Sequence, residues 1–231
     1  MFKIINKSKL LFAFVILAFS FSYTTSHVEA QSSDKPKKQI KYKKARALQS
    51  KTAKKMAKVY EAFEEVDENG EPKPDIETVK EILTELRNDK ENLKSYDRSV
   101  MWNSWAYVYF SEEKYVLAMQ SYEKLIAEPE VTLPLRVGAL LSLAQLNLVQ
   151  GNYQKGINLI LQWMDEVETI TAQSWSLLGT AYYQIGNFRK SMSSMETAIL
   201  MAEEEGYKPK ENWYNIMACL LYTSDAADDL R

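Results

Sequence analysis

The segment WSLLGTAYYQIGNF, residues 175–188, is the clearest copy of a pattern that recurs along the chain. WNSWAYVYFSEEKY and LLSLAQLNLVQGNY carry large, small and turn-forming residues at similar relative positions. The recurring segments start at Trp102, Leu140, Trp175 and Trp213, at intervals of 38, 35 and 38 residues. A period in this range is typical of helical repeat arrays. The sequence therefore predicts stacked helical repeats.

Each repeat is predicted to be a pair of antiparallel helices. In the first helix, a large residue, a small residue and a tyrosine or asparagine lie at positions i, i+4 and i+7, which share one helix face. Short turns, EEK, QGN and IGN, separate the paired helices, and the sequence has no alternating strand pattern. The predicted fold class is an all-α helix-turn-helix solenoid, in which Trp175 packs between helices and Ser176 lies on a neighbouring face.

This order of residues resembles the tetratricopeptide repeat over residues 99–218, with about three repeats and the start of a fourth. The middle repeat departs from the pattern at three positions. There, Leu140, Asn147 and Gly156 replace an aromatic residue, a tyrosine and an alanine. The resemblance implies an α-α superhelix whose first helices line the concave side.

The first helices also carry a stripe of amide, hydroxyl, aromatic and apolar side chains, beginning one residue after each large packing position. Such groups suit an extended or helical peptide, held by side-chain hydrogen bonds and apolar contacts. The alternative is that a terminal helix covers part of the stripe. We call this stripe the predicted groove, and its residues are Asn103, Tyr107, Phe110, Leu141, Gln145, Leu148, Ser176, Thr180 and Tyr183.

The chain begins with the three parts of a secretory signal peptide, residues 1–30. Three lysines precede an apolar run of twelve residues, and Val28 and Ala30 supply the small residues that signal peptidase accepts. A retained membrane anchor is the alternative, but a spanning helix needs about 20 apolar residues. We therefore expect cleavage after Ala30 and a mature chain without a transmembrane segment.

A basic leader is predicted at residues 31–55, followed by a degenerate first helix pair at 56–98, in which Asp75 is the expected cap of the second helix. Residues 31–58 contain 11 basic residues and 1 acidic residue, whereas the rest of the mature chain contains 15 and 29. The leader either binds anionic lipid headgroups, cell-wall polymer or an acidic protein, or is a solvated helix face. Nucleic acid is not expected as a partner of an exported protein.

Residues 219–231 are interpreted as a non-native tail, because CLLYTSDAAD matches the conceptual translation of a sequencing adapter. The only histidine, His27, lies in the signal peptide, and the only cysteine, Cys219, lies in this tail. Zinc sites built on His or Cys, and Cys/His or Ser/His/Asp catalysis, are therefore not expected. Acidic clusters at 63–71 and 201–206 lack the ligand spacing of a calcium loop. We expect no enzyme activity, no cofactor and no metal.

The order of parts is similar to that of the periplasmic tetratricopeptide proteins associated with TonB energy-transduction systems in Gram-negative bacteria. The likeness lies in the signal peptide, the lead helix KKARALQSKTAKKMAKVYEAFE, the segment SYDRSVMWNSWAYVYFSEEKY and a later KENW. It implies a non-enzymatic periplasmic scaffold for protein–protein interactions that supports outer-membrane transport, with TonB, ExbB and ExbD as partners. A general cell-envelope adaptor for peptidoglycan or outer-membrane assembly is the alternative.

Overall fold

The computed structural model describes residues 46–228. This part of the chain is all-α, as the sequence predicts, with nine α helices, no β strand and a short 3-10 turn at Lys90–Asn92. The helices are α1 Ser50–Phe63, α2 Ile76–Asn88, α3 Ser95–Ser111, α4 Tyr115–Ala127, α5 Leu133–Val149, α6 Tyr153–Glu166, α7 Ala172–Gln184, α8 Phe188–Glu204 and α9 Glu211–Asp228.

Successive helices pack against each other along the chain. The pairs α1–α2, α3–α4, α5–α6 and α7–α8 form hairpins, and each hairpin contacts the next through α2–α3, α4–α5, α6–α7 and α8–α9. The first helices α3 and α5 also touch directly. Contacts restricted to neighbouring units are typical of a solenoid, in which each repeat buries its apolar face against the next one.

The first hairpin shows how local sequence sets the helix ends. Asp75 caps α2 as predicted, because its carboxylate accepts a hydrogen bond of 3.0 Å from the backbone N–H of Thr78. The α1 helix begins at Ser50, inside the predicted basic leader. Two lysines of this segment pair with acids of the neighbouring helix end: Lys51 with Asp89, which directly follows α2, at 2.8 Å, and Lys55 with Glu85 of α2 at 2.6 Å.

The turns within the three following hairpins share one backbone conformation. Gly151 and Gly186 have φ angles of 79° and 72°, and Glu113 holds the equivalent position with a φ angle of 59°. In each turn the next backbone N–H bonds back to the first helix, as Lys114 does to the Tyr109 carbonyl at 2.8 Å. This left-handed conformation costs a non-glycine residue about 1–2 kcal/mol. The α3–α4 turn is therefore the strained member of the set.

We expect the substitution Glu113→Gly to raise the free energy of unfolding by about 0.5–1 kcal/mol, because glycine removes the left-handed strain but loses more chain entropy. Urea denaturation followed by circular dichroism measures the change. The matched reverse substitution, Gly186→Glu, should lower the free energy by about 1 kcal/mol. A less stable Glu113→Gly protein would contradict the assignment of strain to this turn.

Two small residues allow the paired helices to approach closely. A Cβ atom built at Gly179 would lie 3.0 Å from Cγ of Met195 and 3.2 Å from the Ser191 carbonyl oxygen. The Ser191 hydroxyl also donates a hydrogen bond of 2.8 Å to the Gly179 carbonyl, which links α7 to α8. A Cβ atom at Gly156 would overlap the side chain of Leu148. Space for any larger side chain is therefore lacking at both positions.

In each of two consecutive hairpins, an arginine–glutamate pair joins the start of the first helix to the end of the second. Arg98, in the first turn of α3, makes two hydrogen bonds of 2.7 and 2.8 Å to Glu128, which follows α4. Arg136, in the first turn of α5, bonds Glu166 at the end of α6 at 2.7 and 3.0 Å. Each arginine also donates to a carbonyl of the preceding segment, that of Leu93 or Ile126. We call these pairs the Arg–Glu clamps.

Candidate functional site

The predicted groove lies along α3, α5 and α7, three residues to a helix. Its members are not equally exposed: eight are half-buried, whereas Ser176 is only 3% exposed. The structure therefore divides the predicted groove into residues that pack inward and residues that leave part of their side chains at the surface.

One residue of the predicted groove on each helix packs at the hairpin turn. The ring of Phe110 lies 5.8 Å from that of Tyr115, and the ring of Tyr183 lies 5.8 Å from that of Phe188. In the middle repeat, Leu148 covers Gly156 instead. These three side chains each contact the second helix of their own hairpin, so much of their apolar surface is already used within the repeat.

Helix α1 covers the groove near Tyr107. The ring of Phe63 meets the ring of Tyr107 edge-on, with 4.8 Å between the ring centroids. Burial raises the pKa of the Tyr107 hydroxyl above its ordinary value, because the charged phenolate loses hydration there. Tyr107 thus joins the first hairpin to the second, which a repeat pattern read from the first helices alone does not reveal.

The placement of Trp175 and Ser176 differs from the prediction. Trp175 is half-buried and packs against apolar clusters on both sides of α7, whereas Ser176, predicted to line the groove, is almost fully buried. The serine side chain is short, and its hydroxyl turns back to donate a hydrogen bond of 2.9 Å to the Gln173 carbonyl. Little of it extends beyond the surrounding helices, so Ser176 offers a partner far less surface than the other eight residues of the predicted groove.

The surface part of the predicted groove is therefore its central portion. Thr180 is half-buried, but its hydroxyl donates a bond of 2.8 Å to the Ser176 carbonyl of its own helix. Asn103, Leu141 and Gln145 are also half-buried and present amide and aliphatic groups. Amides can donate to and accept from a peptide backbone, and the leucine offers an apolar contact. This arrangement presents hydrogen-bonding and apolar groups side by side along the first helices.

The Arg–Glu clamps were missed in the sequence analysis. They join the helices of the α3–α4 and α5–α6 hairpins, two of the three that carry the predicted groove, and the hydrogen bonds from Arg136 hold the pKa of Glu166 below its ordinary value. The signal that could have revealed them is the separation of 30 residues, which is the same for Arg98 and Glu128 as for Arg136 and Glu166.

A second surface feature lies beside the departures of the middle repeat. It is a cleft of about 550 Å³, formed by α4, the end of α5 and the start of α6. We call it the Asn147 cleft, and its walls include Val116, Met119, Gln120, Asn147, Tyr153 and Lys155.

Several predictions concern features that the described residues test only in part. The signal peptide at 1–30, and residues 31–45 of the basic leader, lie outside the described range. Within residues 46–228, no helix is both long and apolar enough to cross a membrane. In the same part of the chain, no three His, Cys, Asp or Glu side chains are grouped to hold a metal ion. Helix α9 runs through Cys219 into the predicted tail.

Solved structures of repeat proteins share this fold. The apo form of RapI superposes with a TM-score of 0.58 at 11% identity, over 76% of this chain and 65% of RapI, so this chain spans less than two thirds of RapI's length. A Podosopora anserina protein, described as a kinesin light chain with nearly identical TPR-like repeats, gives a TM-score of 0.55 at 15% identity, over 78% of this chain and 90% of that one.

The sequence matches no family model and no curated protein. The structural likeness, at identities this low, concerns the fold. It confirms the predicted fold class: the chain is a tetratricopeptide-like helix-turn-helix solenoid. This fold is consistent with a scaffold for protein–protein interactions, and the link to TonB systems stays a prediction from the sequence.

Proposed function

We propose that this protein is a non-enzymatic scaffold for protein–protein interactions in the periplasm, where it supports TonB-dependent outer-membrane transport. The observation that carries the scaffold role is the surface part of the predicted groove, in which Asn103, Leu141 and Gln145 line neighbouring first helices. The periplasmic location and the TonB partners rest on the signal peptide and on the resemblance of the sequence.

The predicted groove is suited to a polypeptide rather than to a small substrate. Its surface side chains are amide and aliphatic, and they are spread over two helices that touch. Such a surface offers many weak contacts along an extended partner, which is the usual way in which peptide-binding helical surfaces gain affinity. The Arg–Glu clamps fix the start of α3 to the end of α4 and the start of α5 to the end of α6, which limits the movement of both groove helices and so reduces the entropy that binding must overcome.

The alternative, a general cell-envelope adaptor, is favoured by a different observation. The basic leader concentrates 11 basic residues in residues 31–58, whereas the following body is acidic. On α1, Lys51 and Lys55 form ion pairs with acids of the first hairpin, but Lys54 and Lys58 are exposed. A segment of this charge is attracted to anionic lipids and polymers at any envelope surface.

Affinity capture of the tagged full chain from a Gram-negative envelope extract tests the proposal. We expect ExbB, ExbD or TonB to be recovered, and the recovered chain to begin at Gln31. The double substitution Asn103→Arg and Gln145→Arg should reduce partner recovery by about tenfold, because each arginine adds bulk and charge to an uncharged contact surface.

The matched control places the same charges on second helices, as Asn158→Arg on α6 and Ser193→Arg on α8, where both positions are exposed. It should retain the partners. Equal recovery with both double variants would refute the predicted groove, and recovery of only peptidoglycan or outer-membrane assembly proteins would favour the alternative. Deletion of residues 31–45 then shows whether the basic leader, rather than the groove, holds the partner.

A further inference from the structure

The Asn147 cleft lies where the other repeats place a tyrosine. Asn147 follows Leu140 by seven residues, as Tyr182 follows Trp175. In the third repeat the Tyr182 ring is 7% exposed and belongs to a cluster with Ile157 of the preceding hairpin. The ring therefore fills the space between successive second helices, and a shorter side chain at this position leaves a cleft in the middle repeat.

Asn147 itself does not close that space. Its side-chain amide donates a hydrogen bond of 2.8 Å to the Leu143 carbonyl of its own helix, so it turns back toward α5. The preceding second helix presents Val116, which is 59% exposed, and Met119 to the cleft. A volume of about 550 Å³ is within the range of small-ligand sites, which is roughly 300–1,000 Å³.

The cleft combines an apolar wall, formed by Val116 and Met119, with polar residues around it, and this combination suits an aromatic ring that has a polar tip. A thioether such as that of Met119 makes favourable contacts with aromatic rings, and a valine adds apolar area. At the rim, Lys155 pairs with Glu123 at 2.6 Å, so the local charge is balanced. In the third repeat the equivalent lysine, Lys190, lies 5.3 Å from the centre of the Tyr182 ring. A second ring placed in the Asn147 cleft would have the same kind of neighbour.

We propose that the Asn147 cleft binds a tyrosine side chain of an extended segment in a partner protein, which supplies the ring that the middle repeat lacks. The ring packs on Val116 and Met119, and its hydroxyl reaches the Glu123–Lys155 pair. This site is separate from the predicted groove, since its walls come from the second helices α4 and α6 and from the end of α5. The protein then has two contact surfaces, one on each kind of helix.

An acetylated, amidated Gly-Ser-Tyr-Ser-Gly peptide is the probe, titrated into the isotope-labelled full chain and followed by NMR. We expect saturable shifts of amide signals from Gly151, Asn152 and Gln154, with a dissociation constant of about 1 mM. The same peptide with alanine in place of tyrosine should produce no saturable shift. Binding of both peptides alike would overturn the proposal.

Two variants of the protein complete the test. Asn147→Tyr places the ring of the other repeats in the cleft and should weaken peptide binding by about tenfold or more. Val116→Lys changes an exposed wall residue, so the protein stays folded, and it should also weaken binding. Asn215→Tyr, at an exposed position of α9, is the matched control and should bind as the wild type does.

Undiminished binding by Asn147→Tyr and Val116→Lys would overturn the proposal, as would the absence of saturable binding to the wild type. The variant with Asn103→Arg and Gln145→Arg should bind the peptide normally. This variant separates the two surfaces, because its substitutions alter the predicted groove and not the walls of the Asn147 cleft. Refutation of the predicted groove would therefore not refute the cleft, and refutation of the cleft would not refute the predicted groove.

Discussion

Replacing Trp105 by alanine is expected to lower the free energy of unfolding by about 3–5 kcal/mol. The Trp105 side chain is 3% exposed and stacks on the Tyr109 ring at 5.0 Å, while the Arg87 guanidinium lies 4.6 Å from its ring centre. It thus joins α2 to α3. In the described part of the chain its indole N–H has no hydrogen-bond partner, so the loss is one of packing. Urea denaturation measures it.

The control for this substitution removes another aromatic ring. Tyr222 on α9 is 78% exposed, and Tyr222→Ala should change the free energy of unfolding by less than about 0.5 kcal/mol. Trp105→Phe should fall between the two, because it keeps a ring in the same space. A loss below about 1 kcal/mol for Trp105→Ala would show that the first and second hairpins do not depend on this contact.

Introducing leucine at Gly179 is expected to destabilise the protein by about 3 kcal/mol, at the upper end of overpacking effects. Its Cβ alone would reach 3.0 Å from Cγ of Met195, and the rest of the side chain would force α7 away from α8. That movement would also stretch the bond from the Ser191 hydroxyl to the Gly179 carbonyl. The midpoint of urea denaturation gives the size of the effect.

A matched glycine shows whether the cost arises from crowding. Gly138 lies within α5 with open space around it, so Gly138→Leu should raise the free energy of unfolding by about 0.5–1 kcal/mol through helix propensity. Adding Met195→Ala to Gly179→Leu should recover part of the lost stability, because the two substitutions share one space. Equal effects of leucine at both glycines would refute the close approach of α7 and α8.

The fold could be predicted from the sequence because it depends on local patterns that repeat. The spacing from Trp102 to Trp213 sets the number of helices, and the turn residues set their ends. Gly151 and Gly186 indicate their turns by residue type, because glycine is typical of positive φ angles. Glu113 has a positive φ angle as well, although glutamate does not predict one. Periodicity therefore predicts the α3–α4 turn, whereas residue identity alone does not.

The candidate site was harder to predict because burial depends on neighbours distant in sequence. Phe63 of the first hairpin packs on Tyr107 of the second, and the sequence pattern of α3 does not predict that contact. Ser176 sits at a groove position by helical phase, but a short side chain there is closed off by its surroundings. The Asn147 cleft was visible in the sequence only as a departure from the repeat pattern, since its volume arises from three helices together.

The Arg–Glu clamps make the repeats unequal in local stability along the chain. Arg98 and Arg136 each join the two helices of a hairpin, but the third repeat has Thr171 at the equivalent position. Its hydroxyl bonds to the backbone N–H and the hydroxyl of Ser174, within its own helix turn, and not to the second helix. Local unfolding in such arrays proceeds unit by unit, and it begins in the units that have the fewest stabilising contacts. Amide protons of α7, α8 and α9 should therefore exchange with solvent before those of α3–α6. Local unfolding would then begin in the C-terminal repeats and proceed toward the N-terminal ones.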